Sequence, residues 1–123
     1  GTLYMAAKTD TDNYTIYKMT GLNSLVGGNL STVGSVIVTT AAGPVDIGFD
    51  TDDNSTVVLV NDNGNVELWR NNETAVGTFT NIVTAVGTST AGDRVSLAVQ
   101  PSKYAVGSMT TTDNASVRIF YDE

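Results

Sequence analysis

Cysteine and histidine are both absent from this 123-residue chain. Their absence excludes disulfides, thiolate nucleophiles, imidazole bases and zinc sites of the usual kind. It does not fix a compartment, since a chain without cysteine suits the cytosol, a virion or an extracellular surface equally. Charge is scarce too: 15% of residues are charged, thirteen acids against six bases, for a net charge of −7. A chain of that sign is repelled by phosphate backbones and anionic headgroups. The six bases (Lys8, Lys18, Arg70, Arg94, Lys103 and Arg118) are scattered and form no basic patch. Neither nucleic acid nor a membrane surface is therefore expected as a partner. No apolar run is long enough to cross a bilayer as a helix.

What is abundant is Thr, Ser and Val, punctuated by Gly and Ala. Branched residues of this kind fit a pleated, half-buried surface, so the composition points to strands. Helical spacing is nearly missing. Leu22, Leu25 and Val26 are the best case, and Gly21, Gly27 and Gly28 confine them to a single turn.

The stretch "VVLVNDNGNVELWR" (Val57 to Arg70) predicts a hairpin, because Asn63 and Gly64 tolerate the positive φ angles of a tight turn between two strand-forming runs. Similar runs predict strands at Leu3 to Lys8, Tyr14 to Met19, Ser35 to Thr40 and Val45 to Asp50. More follow at Thr56 to Val60, Val66 to Arg70, Thr78 to Val86 and Arg94 to Val99, with "KYAVGSM" and "SVRIFYD" closing the chain. Gly43-Pro44 is expected to separate two of them. About ten short strands at these intervals make a single all-β domain over residues 1–123, an antiparallel β-sandwich or barrel. The alternative is propeller-like blades completed by oligomerisation. In "VDIGFD", Val45, Ile47 and Phe49 share one face and Asp46, Gly48 and Asp50 the other, so a sheet with one buried and one wet face is expected.

An internal repeat is also visible. Residues 31–50 align with residues 74–99: "STVG" matches "TAVG", each followed by a Val/Thr-rich strand, an Ala-Gly turn and an alternating apolar strand.

Candidate sites are few. Asp50, Asp52 and Asn54 have the alternate spacing of oxygen ligands in a calcium loop. The pattern then breaks, with no Gly at the sixth position and Asn61 where a bidentate Glu belongs at the twelfth. Solvated turns are the expectation, with no metal and no cofactor. Trp69-Arg70 is the one Trp beside a hydroxyl-binding residue, and Tyr4, Tyr14, Tyr17, Tyr104, Phe120 and Tyr121 supply further rings for a sugar platform or an interface. Asn13, Asn29, Asn54, Asn72 and Asn114 each open an Asn-x-Ser/Thr sequon. Carboxylates are the only acid–base groups left for catalysis, and they cluster in polar turns where they stay ionised. The chain is not expected to be an enzyme.

Two resemblances add expectations. The "VRIFY" strand is similar to the strand ending of fungal fucose-binding propellers, whose remaining blade signature is missing here. The segment "YTIYKMTGL…SVIVTTAAGPVDIGFDTDDNSTVVLVND" (Tyr14 to Asp62) resembles small all-β structural proteins of tailed phages. That resemblance implies a capsid decoration (cement) or fibre-associated protein at the virion surface, bound to a capsid in many copies. The expected assembly is a homo-oligomer, a trimer by preference, with Tyr4, Trp69, Phe120 and Tyr121 near its contacts. A glycan-binding oligomeric lectin is the alternative, and a subunit of an extracellular glycosylated filament the third.

Overall fold

The computed structural model describes residues 2–20, 29–38, 42–52, 54–72, 77–88, 94–100, 103–109 and 117–121. They form strands β1 (Leu3–Asp10), β2 (Asn13–Thr20), β3 (Asn29–Ile37), β4 (Ala42–Asp50), β5 (Ser55–Asp62) and β6 (Asn65–Asn72). The rest are β7 (Gly77–Thr78), β8 (Thr80–Thr88), β9 (Arg94–Gln100), β10 (Lys103–Met109) and β11 (Val117–Tyr121). No helix occurs among the described residues, so the all-β expectation holds. The apolar trio at Leu22, Leu25 and Val26 lies outside them.

The strands make three sheets. The first runs β1-β2-β3-β7, the middle β4-β5-β6-β8, and the third β9-β10-β11. Pairing is antiparallel throughout except for β7, which adds to β3 in parallel. Short turns explain the order. Asn63 and Gly64 both have positive φ (48° and 103°), and Asp62 pairs with Asn65 across a two-residue loop. Primed turns of this kind match the right-handed twist of the strands they join. The Asn61 side chain completes the turn by accepting the Gly64 N–H at 2.7 Å. At the β1–β2 hairpin, Asp10 Oδ1 accepts the N–H of the next residue, Thr11, at 2.7 Å, and only Thr11 and Asp12 lie outside the strands.

The middle sheet is buried on both faces. All eight residues of β5 are buried. Val58 and Val60 point into one core with Tyr14, Ile16, Val33, Val36 and Val38 of the first sheet and β3 end, while Val57 and Leu59 point the other way, with Val66 and Leu68, against Val95, Leu97 and Val99 of β9. The molecule is thus a stack of three sheets with two apolar seams. The wet face expected for Asp46, Gly48 and Asp50 is corrected by this arrangement, because β9 covers it. Asp46 accepts the Leu97 N–H at 2.7 Å, Asp50 is buried, and a Cβ on Gly48 would collide with the Val99 side chain. "VVLV" is the trace of this double burial, since a strand between two layers reads as a continuous apolar run instead of alternating.

Two boundaries differ from expectation. Gly43-Pro44 lies inside β4 at a register shift between Ala42 and Val45, not between strands. Proline is tolerated there because β4 is an edge strand, and Gly43 is required because a Cβ would meet the Asn61 carbonyl oxygen. The Tyr14 hydroxyl donates to the Gly43 carbonyl and pins this bulge to the first sheet. The stretch from Thr78 is divided at Phe79: β7 belongs to the first sheet and β8 to the middle one, with the Phe79 ring in the core between them.

Candidate functional site

Neighbouring residues in a strand point to opposite faces, so the pairing register of the first sheet sorts its side chains. Tyr4, Ala6, Tyr14 and Ile16 face the core. The opposite, outer face carries Leu3, Met19 and Leu30 in one cross-strand row and Met5, Tyr17 and Thr32 in the next. Ala7, Thr15 and Ser35 follow, then Asp10, Asn13 and Ile37. Thr9 and Thr15 share the face, their hydroxyls 3.2 Å apart. Leu3 is 54% exposed, Met5 46%, Leu30 54% and Ile37 57%. Of these thirteen outward residues only Asp10, at the hairpin end, is charged, in a chain whose net charge is −7. The outer face of β9 differs: its exposed residues are Arg94, Ser96, Ala98 and Gln100. A nearly uncharged sheet surface with several exposed large apolar side chains is the property expected of a contact surface.

A second cluster is internal and polar. Glu67 and Trp69 project from β6 toward the first sheet, on the same face as Val58 and Val60. The Trp69 indole N–H donates to Glu67 Oε2 at 3.0 Å. Burial pushes the Glu67 carboxyl above the usual carboxylate range, the indole hydrogen bond pulls it back, and nearby Asp62 pushes it up again. Next on the same face, the Asn71 amide donates to the Val33 carbonyl at 3.4 Å. Burial likewise raises the Tyr14 hydroxyl pKa. Two neighbouring carboxylates, one of them shifted upward, would be the raw material of acid–base chemistry. Here they sit inside a seam between sheets, with Asp62 and Glu67 both buried, so no substrate reaches them.

The residues singled out in sequence fall in separate places. Tyr4 turns inward and stacks on Phe49, centroids 5.1 Å apart and planes at 18°. Trp69 is half-buried against the core. Phe120 and Tyr121 lie on β11, opposite Val106 and Ala105 of β10. Tyr104 lies on β10 opposite Val99. Asp50 is buried and accepts the Asp52 N–H at 3.0 Å, closing the β4–β5 turn, and Asn54 follows with φ of 56°. Among the described residues no three acidic side chains converge as a metal site would require. Of the sequons, Asn54 and Asn72 are exposed, while Asn13 keeps a buried side-chain oxygen. Sequence reasoning missed the outer face because four of its residues rest on β3, whose opening "NLSTVG" has little strand signal. The alternation of Leu3 and Met5 with Tyr4 and Ala6 was the available clue.

The two segments of the internal repeat meet at one point. Gly34 of "STVG" pairs with Gly77 of "TAVG" and Ser35 with Thr78, side by side in parallel. After each segment the chain crosses to the middle sheet, as β4 at one edge and β8 at the other.

No family model, curated protein or solved structure matches this chain, and the reading of its function rests on its own residues.

Proposed function

We propose that this chain is a non-enzymatic structural protein that acts by cohesion, a decoration (cement) protein held in many copies at the surface of a virion. The observation that carries this reading is the outer face of the first sheet, charged only at Asp10 of its hairpin end, with Leu3, Met5, Leu30 and Ile37 exposed on it. Copies carrying a net charge of −7 repel one another wherever carboxylates meet. A face with a single carboxylate at one end lets neighbours meet with little of that cost. It also returns the hydrophobic gain of covering apolar surface, roughly 25 cal/mol per Å² before the cost of immobilisation. Repeated by symmetry over a particle, one such patch adds cohesion without further sequence.

The three-sheet stack suits the task. Both seams of the molecule are filled internally, so the outer face is free to serve contacts without unpacking the core. The test compares complete particles with particles lacking the protein, and with particles carrying the Leu3→Glu/Leu30→Glu variant, for heat-induced genome release. Release at lower temperature in the last two cases supports the proposal. Equal release temperatures in all three overturn it.

A further inference from the structure

The turn that joins β5 to β6 carries a reactive pair. Among the asparagines of the chain only Asn63 is followed by glycine. Asn63 is exposed at the hairpin tip with φ of 48°, and Gly64 follows with φ of 103°. We infer that Asn63 is a site of spontaneous modification, conversion to aspartate and isoaspartate, and that the Asn61 side chain restrains it. This goes beyond the cohesive role and uses none of the residues of the outer face.

The chemistry needs no catalyst and no co-reactant but water. The Gly64 nitrogen gives up its proton to hydroxide and attacks Cγ, the side-chain carbonyl carbon of Asn63. A bond forms between that nitrogen and Cγ, and the bond from Cγ to the side-chain amide nitrogen breaks. The amide nitrogen takes a proton from water and leaves as ammonia, so that a succinimide ring joins the two residues. Water then adds to one of the ring carbonyls and breaks its bond to the ring nitrogen. Opening at Cγ restores the ordinary main chain as aspartate. Opening at the backbone carbonyl leaves the chain running through Cβ and Cγ, an isoaspartate longer by one methylene. Either product replaces a neutral amide with a carboxylate. Glycine permits the attack because no Cβ crowds its nitrogen.

The fold opposes the first step. Gly64 is buried although Asn63 is not, and its N–H donates to Asn61 Oδ1 at 2.7 Å. Asn61 is itself fully buried. A proton held in a buried hydrogen bond is shielded from hydroxide and costly to remove. Attack therefore waits for the tip to open, a local event that loops undergo well below the cost of global unfolding. The two products differ in consequence. Aspartate tolerates the left-handed backbone of this position much as asparagine does. Isoaspartate lengthens the main chain of a two-residue loop closed by the Asp62–Asn65 pair, and so disturbs the match between turn and strand twist. The strand it loosens is β5, which is buried along its whole length.

The test is incubation of the full chain in mildly alkaline buffer, folded and in urea, with every asparagine followed by mass-spectrometric peptide mapping. Conversion in the folded chain is expected first at Asn63, about tenfold slower than in urea or slower still. Asn61→Ala should raise the folded rate about tenfold, the factor that one net hydrogen bond supplies, and leave the urea rate unchanged. Circular dichroism confirms that the variant is folded. Should it unfold, hydrogen exchange at the Gly64 N–H of the wild type decides: slow exchange supports the inference and fast exchange overturns it. Asn63→Asp should melt with the wild type, whereas the isoaspartate fraction should melt several degrees lower. Another asparagine converting ahead of Asn63, or equal wild-type rates folded and in urea, overturns the inference. So does a folded Asn61→Ala that converts no faster than the wild type.

Discussion

At the scale of single residues, the most informative is Glu67. Its carboxyl is pushed up by burial, and a carboxyl raised in the folded state binds protons there that the unfolded chain has already lost. Stability from this group is therefore greatest at acidic pH and falls as pH rises from the ordinary carboxylate range through the raised value. Glu67→Gln removes the charge yet keeps an oxygen to accept the Trp69 N–H. Its urea midpoint should exceed that of wild type at neutral pH, and the two should converge on acidification. A variant less stable than wild type at pH 7 would show that the ionised carboxylate is favourable where it lies. Gly64 makes a second residue-scale prediction, from its φ of 103°. A Cβ in the left-handed region costs roughly 1–2 kcal/mol, so Gly64→Ala should lower the melting temperature by several degrees. This residue was legible in sequence, since Asn-Gly between two β runs has few other meanings. The Tyr4–Phe49 stack was not, because nothing local links β1 to β4.

At the scale of elements, β5 is the keystone. Leu59 is fully buried in the seam facing β9, and Val58 in the seam facing the first sheet. Leu59→Ala should cost about 2–5 kcal/mol, while Thr32→Ala on the outer face should stay within about 0.5 kcal/mol. Chemical denaturation of both variants measures the contrast. Most strands were legible from branched residues and turn chemistry, and the structure moves their ends by only a few positions, except at β3, which begins at Asn29 instead of Ser35. Where sequence failed, a non-local partner decided. Asp46, Gly48 and Asp50 look like a wet face because two are acids and one is Gly. Yet Gly48 is small so that Val99 can approach, and Asp46 is there to accept a backbone N–H of β9. Phe79 was read within one strand, and the division between sheets at that residue depends on a parallel pairing to β3 that no local pattern announces.

At the scale of the whole molecule, the asymmetry between surfaces matters most. The third sheet shows Arg94, Ser96 and Gln100 outward from β9, whereas the first sheet shows Leu3, Met5, Leu30 and Ile37, with Asp10 at the hairpin end its one charge. Composition alone told that charge was sparse, but only strand register places that sparseness on one face. The proposed association of copies through that face is measured directly by sedimentation velocity across about 1–100 μM. A defined oligomer is expected for the wild type and a monomer for Leu3→Glu/Leu30→Glu with an unchanged melting temperature. A wild type that stays monomeric throughout, or a variant that assembles as the wild type does, would contradict it.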